Sequence, residues 1–252
     1  MTAKKLSTFF FDSEQVLKLR AQVQPYSPKE DFWSWYVLRR ISIYVTLLFQ
    51  KIKVSPNSVS WLSVIFVLLS GLFMVIATPT SFIFAFLAYN LGYLFDCVDG
   101  ELARLTKKTS KQGYFIDMLI RAATLPVFLS FLISYLVITD KLLLPSVSLI
   151  ILYIVIVAVI MSLLIPLSYD LTYASLDDNQ DPVQKIRNRS IVFELAGFLL
   201  GLPGFFFTII LVLLVETLIN IPLIPIYIML FMIVLVIKVF LRLIVTIRTF
   251  NS

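Results

Sequence analysis

The sequence predicts an all-α integral membrane protein, with six transmembrane helices that follow an N-terminal interfacial amphipathic helix. Two observations predict this class. The 252 residues are 60% hydrophobic and only 14% charged, whereas about 25% of the residues of a soluble domain are charged. The apolar residues also fall into six stretches, most of them near the length of about 20 residues that crosses a bilayer as a helix.

The six stretches are separated by short links. The second is too short to span unless it continues through Asp96 and Asp99 towards Arg104, so we expect its end to project into water. Pro203 and Gly204 predict a kink in the fifth stretch. We predict the spans at residues 58–77, 81–95, 114–138, 142–167, 191–219 and 221–247.

Positive charge collects in alternate links and predicts the orientation. Lysine and arginine are concentrated before the first span and in the links after the second and fourth spans, whereas the other links are nearly uncharged. The side with this positive charge faces the cytoplasm. Both termini and the aspartates are therefore predicted inside, and the expected location is a bacterial inner (plasma) membrane. This distribution also explains the net charge of +6 without nucleic acid as a partner.

Residues 31–50 combine aromatic and basic side chains, among them Trp33, Trp35, Arg39 and Arg40. Such a mixture favours a helix that lies in the membrane interface. The alternative is a seventh span, which would break the charge pattern. We therefore expect a cytoplasmic N-terminal segment with the interfacial helix at residues 1–54 and a six-span domain at residues 55–252.

The residue types narrow the chemistry. Cys97 is the one cysteine of the sequence, and the sequence contains no histidine. Serine–histidine and cysteine–histidine mechanisms and histidine-based metal sites are therefore excluded. Any catalysis must use carboxylates, lysine, arginine or metal ions bound by oxygen.

Three aspartates are placed to converge at one end of two predicted helices. Asp96 and Asp99 are spaced i, i+3 and share one helix face, as do Asp117 and Arg121 at i, i+4. A tight turn over residues 105–112 would bring these faces together. Neighbouring carboxylates repel one another, and Mg²⁺ or Mn²⁺ removes that repulsion while binding substrate phosphates. Arg104 supplies a guanidinium that suits phosphate.

The same residues carry a resemblance to a known family. The pattern resembles the CDP-alcohol phosphatidyltransferase signature, D-x-x-D-G-x-x-A-R-x8-G-x3-D-x3-D, at seven of its eight positions. Residues 55–60, Ser-Pro-Asn-Ser-Val-Ser, are also similar to the start of the family's first span. The matching signature residues are Asp96, Asp99, Gly100, Ala103, Arg104, Gly113 and Asp117.

The resemblance implies an activity and a set of site residues. Family members displace CMP from a CDP-linked lipid or alcohol with the hydroxyl of an acceptor alcohol, in phospholipid or related biosynthesis, and membrane lipids surround them. In this family the first three acids hold Mg²⁺ or Mn²⁺, the small residues lie against the CDP moiety, and the arginine contacts it or braces the site. Here these are respectively the acids Asp96, Asp99 and Asp117, the small residues Gly100, Ala103 and Gly113, and the arginine Arg104.

The fourth acid of the signature, a metal ligand and the family's general base, is Arg121 here. Arginine stays protonated and cannot accept a proton. This arginine leaves three alternatives. One metal site is lost, or another base such as Asp117 accepts the proton, or the protein is a catalytically impaired member that binds CDP or regulates another membrane enzyme. Glu101 is the nearest other acid, but it lies on a different helix face. A transporter is disfavoured because the acids lie at the ends of spans.

Two further features concern partners. In relatives, basic residues ahead of the fifth span often bind the phosphate of the acceptor, so Arg187 is a candidate substrate-binding residue. The alternative is that Arg187 only contributes to the positive-inside pattern. Gly197 and Gly201 form a small-xxx-small pair, which favours close helix packing within the chain or in a homodimer.

Overall fold

The computed structural model describes residues 7–26, 30–140, 146–172 and 191–250, and within these ranges the regular structure is helical. A π-helical segment, Ser34–Leu38, leads directly into α2. In chain order the α-helices are α1 (Glu14–Val23), α2 (Arg39–Lys51), α3 (Pro56–Ile76), α4 (Pro79–Thr106), α5 (Lys111–Ile138), α6 (Ser146–Thr172), α7 (Ile191–Leu199), α8 (Leu202–Ile219) and α9 (Ile224–Phe250).

Six of the described helices are long and apolar enough to cross a membrane, namely α3, α4, α5, Leu152–Leu171 of α6, α8 and Ile224–Arg248 of α9. This confirms the predicted class of a multi-pass, all-α protein. Helix α4 continues to Thr106 and carries the aspartates past the apolar stretch, as predicted. Helix α2 is not among the six, and its position in the membrane interface stays a prediction.

Two predicted spans differ in their boundaries. Helix α6 ends at Thr172 rather than near residue 167. The fifth stretch is two helices, because α7 ends at Leu199 and Gly201 precedes α8 as its N-cap. The predicted kink is therefore a break, and Pro203 lies in the first turn of α8, where a missing N–H costs nothing. Gly197 and Gly201 do not lie on one continuous helix, and their predicted close packing within the chain or in a homodimer stays a prediction.

The chain divides into two compact units, Met1–Leu69 with Leu87–Ala123 and Ser70–Phe86 with Thr124–Ser252. In the second unit α9 packs against α6 and α8. Phe131 stacks on Phe205 with 3.8 Å between ring centres, and both rings are fully buried. The core of this unit is therefore largely aromatic.

In the first unit α3 and α4 approach closely at Gly92. The Ser63 hydroxyl donates to the Gly92 carbonyl at 2.8 Å. A Cβ atom on Gly92 would lie only 2.9 Å from the Val67 backbone nitrogen. This crossing therefore requires a residue without a side chain, and it sets the separation of the two helices whose ends form the site described below.

Arg20 ties the first helix to the second through a fully buried guanidinium. It donates to the carbonyls of Arg39 at 2.8 Å and Arg40 at 2.9 Å, and it forms an ion pair with Asp12 at 2.9 Å. Burial raises the pKa of Asp12, but hydrogen bonds from Arg20 and Tyr44 outweigh this and lower the pKa below its ordinary value. The segment before α2 is thus held by charged hydrogen bonds rather than by apolar burial alone.

Glu101 of α4 is the second anchor of this segment, and its side chain is fully buried. Its carboxylate accepts hydrogen bonds from four side chains that lie on or before α2. The donors are Gln24 at 2.9 Å, Arg39 at 2.8 Å, Ser42 at 2.5 Å and Thr46 at 2.8 Å. The N-terminal segment is therefore packed on α4 through a saturated polar contact.

We expect Gly92→Ala to lower the stability of the protein, although alanine is the better helix former. The new Cβ meets backbone atoms of α3, which cannot rotate away, and such overpacking costs about 1–3 kcal/mol. The measurement is the midpoint of thermal unfolding in detergent. Gly71→Ala is the matched control, because a Cβ there meets neighbours at 3.4 Å or more. Equal midpoints for the two variants would contradict the close approach.

We expect Glu101→Leu to loosen the N-terminal segment, because it leaves a buried guanidinium without one of its partners, at a cost of about 3–5 kcal/mol. The measurement is the rate of tryptic cleavage at Lys18, which is exposed on α1. Cleavage of Glu101→Leu should be faster than cleavage of the wild type. It should also be faster than cleavage of the control Glu14→Leu, which removes an exposed acid from α1, the helix that carries Lys18. Cleavage at the wild-type rate would show that Glu101 does not hold this segment.

Candidate active site

A cavity of about 380 Å³ lies between the start of α3, the end of α4 and the start of α5. All seven matching signature residues line it. They are Asp96, Asp99, Gly100, Ala103 and Arg104 of α4 with Gly113 and Asp117 of α5. The structure therefore brings together on one wall the residues that the spacing predicted to converge.

A short turn between α4 and α5 produces this convergence. Lys107 has φ 55° and ends α4, and the Lys108 amide donates back to the Ala103 carbonyl at 3.0 Å. This is a left-handed helix end. Ser110 then caps α5, since its hydroxyl accepts the Gly113 amide hydrogen at 3.0 Å. Each helix is thus terminated locally, and the chain reverses over residues 107–110.

The three acids are close enough to interact electrostatically. Asp96 interacts with Asp117, and Asp99 interacts with both. Ser60 of α3 lines the same cavity as Asp99, and its hydroxyl donates to the Pro56 carbonyl at 3.2 Å. Three carboxylates on one cavity repel one another when all are ionised, so the site favours a cation.

The donor chemistry fits an oxygen-preferring divalent ion. Carboxylates are the protein ligands that Mg²⁺ and Mn²⁺ take in phosphate-handling sites. Within the described part of the chain, no three acidic or thiol side chains are already gathered around one point as ligands. The assignment of Asp96, Asp99 and Asp117 as metal ligands therefore stays a prediction that rests on their residue types and shared cavity.

Arg104 connects the cavity to the N-terminal segment. Its Nε donates to the carbonyl of Val23, the last residue of α1, at 2.6 Å. A Cβ on Gly100 would lie 3.4 Å from both terminal nitrogens of Arg104. The guanidinium of Arg104 therefore lies next to Gly100 at an ordinary contact distance. Arg104 braces the site, and its predicted contact with the CDP moiety stays a prediction.

Several cavity residues were not singled out from the sequence. Asn57 is the most informative of these, because its amide donates to Gln112 at 3.0 Å and accepts from Ser110 at 3.3 Å. It therefore ties the start of α3 to the α4–α5 turn. The resemblance of residues 55–60 to the family was the signal that could have identified it. The residues are Arg39, Pro56, Asn57, Ser60, Lys108, Thr109, Ser110 and Tyr114.

Arg121 faces a second cavity, of about 210 Å³, and does not line the first. The two cavities share Arg39, Asp96 and Asp117 as lining residues. Arg121 forms an ion pair with Asp117 at 3.4 Å, and both side chains are more than 40% exposed. Such a solvated pair contributes little to stability. The position of the missing acid therefore holds a cation beside the acids.

Arg39 lines both cavities and was predicted only as part of an interfacial helix. Its guanidinium pairs with Glu30 at 2.8 Å and with Glu101 at 2.8 Å. Burial alone would lower the pKa of Arg39, but the neighbouring Cys97, Glu30 and Glu101 raise it above its ordinary value. Arg39 is therefore a fixed positive charge beside the acids.

Two other predicted residues lie away from the cavities or outside the described ranges. Glu101 faces α2 rather than the first cavity, in agreement with its predicted position on a different helix face. Arg187 lies outside the described residues, so its assignment as a substrate-binding residue stays a prediction.

Comparison with known proteins identifies the family. Over 91 residues the chain is 33% identical to a protein of Thermococcus kodakarensis named Bifunctional IPC transferase and DIPP synthase. This alignment covers 36% of the chain and 20% of the relative, so the chain matches about a fifth of that relative's length. Residues 53–244, about three quarters of the chain, match the family described as CDP-alcohol phosphatidyltransferase. The chain therefore belongs to the CDP-alcohol phosphatidyltransferase family.

Proposed function

We propose that this protein is a membrane transferase that moves a substituted phosphate group from a CDP-linked alcohol to an acceptor alcohol and releases CMP. The observation that carries the proposal is the shared cavity of Asp96, Asp99 and Asp117, which come from two helices and stand beside Arg104. The match to a transferase family over residues 53–244 supports the same reaction class. CDP-diacylglycerol is the donor to test first, and the product class is phospholipid or a related compound.

The charge and size of the cavity residues indicate the role proposed for each. Asp96, Asp99 and Asp117 would hold Mg²⁺ or Mn²⁺, which neutralises the leaving phosphate when bound. Gly100, Ala103 and Gly113 leave space for the CDP moiety. The guanidinium of Arg104 is placed on the same wall, where it can bind a phosphate oxygen.

The reaction is a displacement at phosphorus. The acceptor oxygen forms a bond to the phosphorus that carries the donor alcohol, and the bond from that phosphorus to the bridging oxygen breaks. The electron pair stays on CMP, and the acceptor proton passes to a base. The site positions the charged groups and stabilises the charge that develops on the leaving phosphate.

The location of the reaction follows from charge. The cavity lies at the ends of α4 and α5 that join the basic link Lys107–Lys111, and basic links face the cytoplasm. We therefore place the reaction at the cytoplasmic surface of a bacterial plasma membrane, where a lipid-linked donor enters from the inner leaflet. A homodimer remains part of the proposal without support from Gly197 and Gly201.

A catalytically impaired relative is the second candidate, and the Arg121–Asp117 ion pair favours it. The guanidinium occupies the position of the family's base and competes with a metal ion for Asp117. Such a protein would bind CDP and act as a partner of another membrane enzyme. An absence of CMP release by the wild type, together with CMP release by Arg121→Asp, would support this candidate.

We expect Asp99→Asn to reduce CMP release by about 10²-fold or more, because it removes one of three negative charges that would hold the metal ion and its bound phosphates. The assay uses the protein in liposomes with CDP-diacylglycerol, Mg²⁺ or Mn²⁺, and a panel of acceptor alcohols. Asp140→Asn makes the same chemical change on an exposed residue after α5 and should retain turnover. Equal loss in both variants would show that the assay reports folding, and turnover retained in Asp99→Asn would contradict the proposed site.

A further inference from the structure

The second cavity has one wall that comes from the chain before the family match. Glu30 and Arg39 line it together with Asp96, Asp117 and Arg121. The family match begins at residue 53, so Glu30 and Arg39 lie in the N-terminal segment, outside the matched part of the chain. This segment therefore contributes charged groups directly beside the signature acids.

Glu30 is held in a defined orientation. Arg39 binds both of its carboxylate oxygens, with 2.8 Å from Nη2 to Oε1 and 3.3 Å from Nε to Oε2. Both side chains are 11% exposed. Arg39 is in turn fixed by the fully buried Glu101 at 2.8 Å and by the Cys97 carbonyl at 3.4 Å. The carboxylate of Glu30 is therefore held in one orientation in a cavity that Asp96 and Asp117 also line.

The acids of this cavity have different proposed roles. Asp96 and Asp117 are the proposed metal ligands, and Asp117 also pairs with Arg121. Among the described residues that line the cavity, Glu30 is the remaining carboxylate. Each carboxylate oxygen has two lone pairs, so Glu30 can accept a further hydrogen bond while it is bound to Arg39.

We propose that Glu30 is the general base of the transfer reaction and that the second cavity holds the hydroxyl of the acceptor alcohol. This inference rests on the proposed function. It assigns to Glu30 the proton acceptance that the fourth acid performs in the family and that Arg121 cannot perform. The acceptor would lie between Glu30 and the acids shared by the two cavities.

The proton transfer accompanies the displacement at phosphorus. The acceptor O–H bond breaks while its oxygen bonds to phosphorus, the proton passes to a Glu30 carboxylate oxygen, and CMP leaves with the electron pair of the broken P–O bond. The acceptor hydroxyl becomes acidic as the O–P bond forms, so a weak but well-positioned carboxylate suffices late in the step.

The test compares Glu30→Gln with the double variant Glu30→Gln/Arg121→Asp in the liposome assay for CMP release. Glutamine keeps an oxygen that accepts from Arg39 but is not a base, so we expect turnover to fall by about 10²–10⁴-fold. The double variant restores a carboxylate at the family's own position, so its rate of CMP release should be at least tenfold higher than that of Glu30→Gln. Glu14→Gln, on the exposed face of α1, is the control and should match wild type.

The outcomes separate this inference from the proposed function. Wild-type turnover that is lost in Asp99→Asn but retained in Glu30→Gln would leave the proposed function intact and overturn the role of Glu30. Loss in Glu30→Gln without recovery in the double variant would also overturn it, since a structural role predicts that result. No turnover by wild type with any donor and acceptor would overturn both proposals.

Discussion

The buried carboxylate of Glu101 is the contact on which the arrangement of the site depends. It joins α4 to α2 and to Gln24, and a buried charge deprived of its partners costs several kcal/mol. Helix α4 therefore presents two opposed polar faces, one to the N-terminal segment and one, with Asp96 and Asp99, to the cavity. Glu101, on the first face, holds Arg39 in place, and Arg39 lines both cavities. The first face therefore positions a positive charge beside Asp96 on the second face.

Close helix packing is the second constraint. Gly92 lets α3 and α4 touch, and the caps at Lys107 and Ser110 reverse the chain within a few residues. Asn57 then joins α3 to that turn. Three helix ends are thereby held around one space, so carboxylates far apart in sequence share a cavity. Packing explains the glycine at position 92 but not Gly100, where a Cβ would meet Arg104 at an ordinary contact distance of 3.4 Å.

The fold and the signature cavity could be predicted because they depend on local patterns. Long apolar runs specify spans, and i, i+3 and i, i+4 spacings place acids on helix faces. The kink at Pro203 and Gly204 could be predicted, but the complete break before α8 could not, because it depends on Gly204 packing against the Phe198 carbonyl rather than on periodicity. The contacts among Glu30, Arg39 and Glu101 could not be predicted either, because periodicity shows which helix face a residue occupies but not which residues pack against that face. Arg39 and Glu101 are 62 residues apart in sequence.

Arg121 changes what the site can hold. A guanidinium in place of a carboxylate adds two units of positive charge next to Asp117, and it repels a second divalent ion at that position. In the proposed site, one ion held by Asp96 and Asp99 would still neutralise the leaving phosphate, whereas the acid that takes the proton in the family is replaced by Arg121. The N-terminal segment supplies the Glu30 carboxylate to a cavity that Asp96 and Asp117 also line, so the proposal divides metal binding and proton acceptance between two parts of the chain. The Glu101 contact keeps those two parts together.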